Sequence, residues 1–130
     1  MKLIFFFLII PFFSFSQNEK ISDSRENGES LYQDFCLRCH MPNGKGVDGT
    51  FPPLAKSDFL FKQMEESIKA IKFGGIDGEI IVNGVKYNSK MEKIGLYDDE
   101  IADIMNYILN SWGNKYDKII TEEYVKSLKK

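Results

Sequence analysis

The strongest regularity along the chain is an apolar stripe between positions 98 and 112. Ile101, Ile104, Met105, Ile108, Leu109 and Trp112 recur at helical spacing with polar residues between them. That period predicts a helix over 98–111. Asp98, Asp99 and Glu100 open it, where acids suit the positive end of the helix dipole. Leu60, Met64, Ile68 and Ile71 form a second stripe. It predicts a helix over 58–73, capped by Ser57 or Asp58 and ended by Gly74-Gly75. Leu31, Tyr32 and Phe35 predict a first helix over 28–40. Ile80–Val82 and Val85–Tyr87 flank Asn83-Gly84, the preferred two-residue hairpin turn. Glycines crowd 43–49, which reads as a loop. A short terminal helix is expected over 121–129, its lysines and acids forming a solvated face. The pattern is that of a mostly α domain of three to four short helices with a short β-hairpin.

Residues 1–16 follow a different rule. They carry 12 apolar side chains, including six of the eleven Phe in the chain. Met1-Lys2 is a short positive start, Leu3 to Phe13 an apolar run broken only by Pro11, and Ser14-Phe15-Ser16 offers small residues for a signal peptidase. This is the pattern of a secretory signal, with cleavage expected before Gln17. The apolar run is shorter than the roughly 20 residues that span a bilayer. The alternative is an uncleaved segment anchoring the protein to the inner membrane. No other stretch is long and apolar enough to span. The expected organisation is a signal peptide at 1–16, a flexible polar leader at 17–27 and one domain at 28–130. The full chain of 130 residues carries a net charge of −2. A mildly acidic chain argues against a nucleic-acid partner, which needs clustered positive charge.

The only cysteines, Cys36 and Cys39, lie in Cys36-Leu37-Arg38-Cys39-His40, and His40 is the only histidine. A disulfide or thiol pair is one reading of two cysteines in an exported protein. A thioredoxin-like pair needs a βαβ context, and no strand pattern precedes Cys36. A structural zinc site needs four ligands, more than two Cys and one His supply. Covalent haem attachment has Cys-x-x-Cys-His as its signature. Residues three apart on a helical turn share a face, so two thiols can reach the two vinyl groups on one porphyrin edge. The adjacent imidazole then swings under the iron, making His40 the proximal ligand.

The stretch from Cys36 through Met41-Pro42-Asn43-Gly44-Lys45-Gly46, then Phe51-Pro52-Pro53-Leu54-Ala55, resembles a class I c-type cytochrome. Asn83 to Met91, Glu100-Ile101-Ala102 and Ser111-Trp112-Gly113-Asn114 continue the likeness. It spans roughly 28–125 and is nearest to single-haem domains associated with periplasmic dehydrogenases and terminal oxidases. The resemblance implies a small fold wrapped around one covalently bound haem c per chain, with the hairpin before the distal ligand loop. It implies that the carbonyl of Pro52 accepts the other ring proton of His40, and that Gly28, Tyr32 and Tyr107 lie where the first and last long helices cross. It puts Trp112 close to the haem, with core packing as the other account of that side chain. The family usually caps its last long helix with Ser or Thr where this chain has Tyr97, which leaves Asp98 as the substitute.

The distal ligand is a choice among methionines. Met41 follows His40 too closely to cross the haem, and Met64 and Met105 fall on apolar helix faces where Met is usually core filler. Met91 sits among polar loop residues and matches the family's ligand position. His40 and Met91 together fill both axial positions of the iron, and a thioether raises the potential. Such a site passes single electrons and has no catalytic residues, so the expectation is an electron carrier and not an enzyme. Its donor would be a dehydrogenase or quinol-oxidising complex, its acceptor a terminal oxidase or reductase, and its place the periplasm. Two other readings stand beside it: a haem gas sensor with an open or labile sixth site, and a non-haem thiol–disulfide redox protein. Lys86, Lys90 and Lys93 surround the ligand loop and offer a docking patch for an acidic partner, or simply a solvated surface.

Overall fold

The structure is a computed structural model that describes residues 13–130. Helix α1 (Phe13–Phe35) is followed after Cys36 by the single turn α2 (Leu37–His40). Helices α3 (Asp58–Lys62) and α4 (Met64–Phe73) come next, then the hairpin strands β1 (Ile80–Val82) and β2 (Val85–Tyr87), α5 (Asp98–Ile108) and α6 (Glu122–Ser127). This is a mostly helical small domain with a two-stranded antiparallel hairpin, as the periodicity predicts. Most of the proposed signal peptide lies outside the described residues. No helix among the described residues is long and apolar enough to cross a membrane.

The frame is the pairing of α1 with α5. Gly28 is the contact point: a Cβ there would stand 2.0 Å from the Asp103 carbonyl oxygen and 2.9 Å from the Tyr107 Cβ. One turn on, Tyr32 is buried and its ring centroid lies 5.4 Å from that of Tyr107. Residues 17–27, expected as a flexible leader, are instead the first half of α1. The reason is tertiary. The Ser24 hydroxyl donates to Asp103 at 2.5 Å, and Arg25 reaches the Asn110 carbonyl at 3.2 Å. The buried face of α5 carries Ile101, Ile104, Met105 and Ile108, the stripe that predicted it. Tyr97, and not Asp98, takes the cap position, and Glu100 accepts the Tyr97 amide at 2.8 Å. Helix α6 closes over α5 with Val125 and Leu128 buried.

The helix expected over 58–73 is two helices. Ser57 caps the first by accepting the Leu60 amide at 3.1 Å. Gln63 then leaves helical geometry at φ −123°, ψ 48°, and α4 restarts at Met64. Gly74 ends α4 in a left-handed conformation at φ 92°, as its lack of a Cβ allows. The hairpin pairs Ile80 with Tyr87, Ile81 with Lys86 and Val82 with Val85. Asn83 and Gly84 both take positive φ, 50° and 81°, the geometry a two-residue turn requires. Asn83 also accepts the Asp58 amide at 2.9 Å, while Asp58 accepts the Asn83 amide at 2.7 Å. This exchange fixes the hairpin tip to the start of α3.

Candidate functional site

Between these elements lies a largely apolar cleft of about 310 Å³. Cys36, Cys39 and His40 enter it from the end of α1 and from α2, and Pro52 from the following loop. Met91 contributes from the segment after the hairpin, and Ile104 and Met105 from α5. Four of the five residues picked from the sequence come from two nearby segments, and the fifth from a segment 39 positions beyond Pro52. All five line one cavity.

The local backbone explains how the first three are grouped. Helix α1 stops at Phe35, yet the Cys36 amide still bonds the Tyr32 carbonyl at 2.9 Å. The Cys39 and His40 amides both bond the Cys36 carbonyl, at 3.2 and 2.9 Å. One tight turn therefore carries both thiols and the imidazole. Helix α2 ends at Met41, whose φ of 64° turns the chain away. The continuous helix expected over 28–40 is thus interrupted at Cys36, which presents the motif as its own short element.

His40 Nδ1 lies 2.9 Å from the Pro52 carbonyl oxygen. A carbonyl only accepts, so Nδ1 carries the proton and Nε2 keeps its lone pair. Burial holds the His40 pKa below its ordinary value, outweighing the opposing effect of the Pro52 bond. The imidazole is neutral and fixed in one tautomer, the state a metal ligand needs. Burial pushes the Cys36 thiol up to about 11, with the neighbouring Cys39 adding to it. A thiol–disulfide exchanger needs the opposite shift, toward a thiolate at neutral pH.

The methionines divide in space. Met41 and Met64 do not line the cleft; Met91 and Met105 do. Met105 is fully buried on α5, while Met91 is partly exposed in a segment without helix or strand. Gly75 packs against that segment so closely that a Cβ on it would lie 2.7 Å from the Met91 carbonyl oxygen. The lysines beside it are not a bare positive patch. Lys90 is paired with Asp77, and Lys86 with Glu79 at 3.2 Å.

Trp112, expected near the haem, is not among the residues lining the cleft. Its ring packs on Tyr32 and Tyr107 with centroids 5.1 and 5.6 Å apart. Three residues outside the proposed ligand set tie the site together. The Tyr32 hydroxyl donates to the Met41 carbonyl at 2.7 Å. Asn114 bonds the Leu54 carbonyl at 2.9 Å and accepts the Lys56 amide at 2.7 Å. Asn106 bridges Ser24 and both backbone groups of Ile120. Asn114 follows Trp112-Gly113, where the glycine is a local turn signal; Asn106 sits at a polar position inside the stripe of α5, with nothing local to mark its bonds.

A neutral imidazole nitrogen, two thiols one helical turn apart and a thioether suit a haem iron and its two vinyl groups. The apolar walls suit its macrocycle. Comparison with known proteins agrees. The family profile described as Cytochrome c matches residues 25–112. Two cytochromes c-552 from Thermus thermophilus are 37% and 38% identical over 114 and 111 residues. Those alignments cover 82% and 79% of this chain, and 76% and 84% of the relatives. The cytochrome c subunit of a quinone alcohol dehydrogenase from Gluconobacter oxydans is 28% identical over 110 residues, covering 78% of this chain and 22% of that subunit. The chain belongs to the cytochrome c family: it is a class I c-type cytochrome with the fold of that class, an electron-transport protein whose cofactor is covalently bound haem c.

Proposed function

We propose that this cytochrome is an exported, periplasmic single-haem carrier between a dehydrogenase or quinol-oxidising complex and a terminal oxidase or reductase. Cys36 and Cys39 hold the haem by thioether bonds, His40 is the proximal ligand and Met91 the distal one. Pro52 orients His40. The observation that carries this reading is the 2.9 Å bond from His40 Nδ1 to the Pro52 carbonyl, made in the cleft that Met91 also lines. When bound, the haem supplies one-electron Fe(II)/Fe(III) cycling. The chain's part would be to offer the His40 nitrogen and the Met91 thioether to the iron, exclude other ligands and keep the imidazole in one tautomer. Met91 is preferred to Met105 because Met105 already sits in the hydrophobic core, whereas Met91 is partly exposed in an irregular loop. Relatives that are cytochrome subunits of dehydrogenases, among them that of gluconate 2-dehydrogenase from Pantoea cypripedii, support a dehydrogenase as donor.

The test is the visible and near-infrared spectrum of protein matured with haem-attachment machinery. The haem colour stays with the chain through acid organic extraction. The ferric protein shows the weak sulfur-to-iron charge-transfer band, and the ferrous protein takes carbon monoxide poorly. Ready carbon monoxide binding without that band favours the sensor reading. Mass spectrometry of the exported protein finds one haem and a chain beginning at Gln17; an intact Met1 in the membrane fraction favours the anchored alternative. Cleavage there removes Phe13 to Ser16 from α1 and leaves every contact with α5 described above.

A further inference from the structure

The segment after α5 grips both loops that form the proximal side of the cleft, although neither of its two key residues lines it. Trp112 takes a left-handed φ of 53° and Gly113 follows at 88°. A positive φ is uncommon for a bulky residue and persists only where its surroundings hold it. What holds it is visible. Trp112 Nε1–H donates to the Pro42 carbonyl at 3.0 Å, across 70 positions of sequence. The indole lies on Gly44, where a Cβ would stand 2.4 to 2.7 Å from the ring carbons. Two residues on, the buried Asn114 donates to the carbonyls of Leu54 and Ile108 at 2.9 and 2.7 Å and accepts the Lys56 amide at 2.7 Å.

The two gripped loops are also bonded to each other. The Gly44 carbonyl accepts the amides of Leu54 and Ala55 at 2.7 and 2.9 Å. The Gly46 amide donates to the His40 carbonyl at 3.0 Å. A Cβ on Gly46 would meet the Phe51 and Pro52 carbonyl oxygens at 2.1 and 2.8 Å. His40 and Pro52 sit at the facing ends of this cross-bonded pair, and their own bond depends on the spacing between the loops. Trp112 holds one loop through Pro42, and Asn114 ties the other to the end of α5.

We infer that Trp112 and Asn114 are positioning residues for the haem: together they form a latch that holds the Pro52 carbonyl at bonding distance from His40 Nδ1–H. The inference rests on His40 being the proximal ligand. A hydrogen bond at the far ring nitrogen fixes the ligand's orientation and raises its basicity, so the latch sets the quality of the proximal bond from outside the cavity.

The experiment follows the His40 Nδ1 proton by NMR in the reduced holoprotein, under native conditions. Trp112→Phe keeps an aromatic ring, smaller than the indole, and removes the one donor. Its Nδ1 proton exchanges with solvent roughly two- to tenfold faster than in the wild type, the scale of one lost hydrogen bond. Asn114→Ala, where it folds, gives a larger effect. Val125→Ala in α6 is the control: it lowers the melting temperature through core packing and leaves the exchange at the wild-type rate. Wild-type exchange in Trp112→Phe overturns the latch, and so does equal acceleration in Val125→Ala, which reduces the effect to global stability. Wild-type His40 ring protons without the upfield shift of a haem-bound imidazole overturn the ligand assignment itself, an outcome distinct from failure of the latch alone.

Discussion

Gly28 and Asp103 approach each other so closely that a methyl group on Gly28 would stand 2.0 Å from the Asp103 carbonyl oxygen. Helix α1 can meet α5 at this depth only through a residue without a side chain. Helix propensity alone would make Gly28→Ala a gain of about 1 kcal/mol. The clash reverses the sign. The expected net loss is about 2 kcal/mol or more, read as a lower urea midpoint of the holoprotein. A midpoint at or above that of the wild type would mean that the helices can part here without cost.

Met91→Ala removes the proposed distal thioether. The near-infrared band disappears, the reduction potential falls because the sulfur acceptor is lost, and carbon monoxide binds readily. Met64→Leu and Met105→Leu change all three little and cost less than about 1.5 kcal/mol of stability, as volume-conserving swaps do. Loss of the band in Met105→Leu instead would move the ligand to α5.

Gly75→Ala disturbs the same proposed ligand without changing its side chain. Gly75 has φ 65°, and its Cβ would press on the Met91 amide and carbonyl at 2.8 and 2.7 Å. The Met91 segment shifts, so the band weakens and carbon monoxide binding rises toward that of Met91→Ala. Gly84→Ala is the matched control. It has φ 81° with nothing within 4 Å of the added carbon, and it keeps the wild-type spectrum while losing about 1–2 kcal/mol to left-handed strain.

The Asp58 carboxyl is held below its usual range, first by the Asn83 amide, with the Phe59 amide and Lys62 adding to it. Its folded pKa is therefore lower than its unfolded one. The stability it contributes is fully present above the unfolded value of about 3.9. It is lost as pH falls from there through the folded value, because the unfolded chain takes up the proton before the folded one does. Urea titrations from roughly pH 5 downward should show a shallower acid decline for Asp58→Ala than for the wild type. Parallel declines would remove Asp58 from the acid transition.

Helix α5 was legible because Ile101, Ile104, Met105 and Ile108 bury one face of a long regular stripe. The hairpin was legible because Asn83-Gly84 supplies both positive φ angles. Cys36, Cys39 and His40 were legible because covalent haem chemistry leaves a spaced signature, Met91 because the chain has few competing Met residues, and Pro52 only through the family resemblance. The first half of α1 was not. Its residues form no broad apolar stripe, and what joins it to the fold is Ser24 and Arg25 meeting partners on α5. The break at Gln63 was also hidden, since the apolar spacing runs through it unchanged. Asn114 could not be read, because its three bonds join residues 54, 56 and 108, a conjunction no local pattern encodes.

The pairing of α1 with α5 also governs when the protein can fold. The Ser24–Asp103 bond closes a span of 79 positions, and loop-closure entropy must be met before that contact gives anything back. A chain emerging from its amino end holds Cys36 to His40 long before α5 exists to cover them. Until the final quarter of the sequence is made, the attachment motif stands on an open strand. The connectivity thus sets the order of maturation, with the cysteines reachable first and the molecule closing around them last.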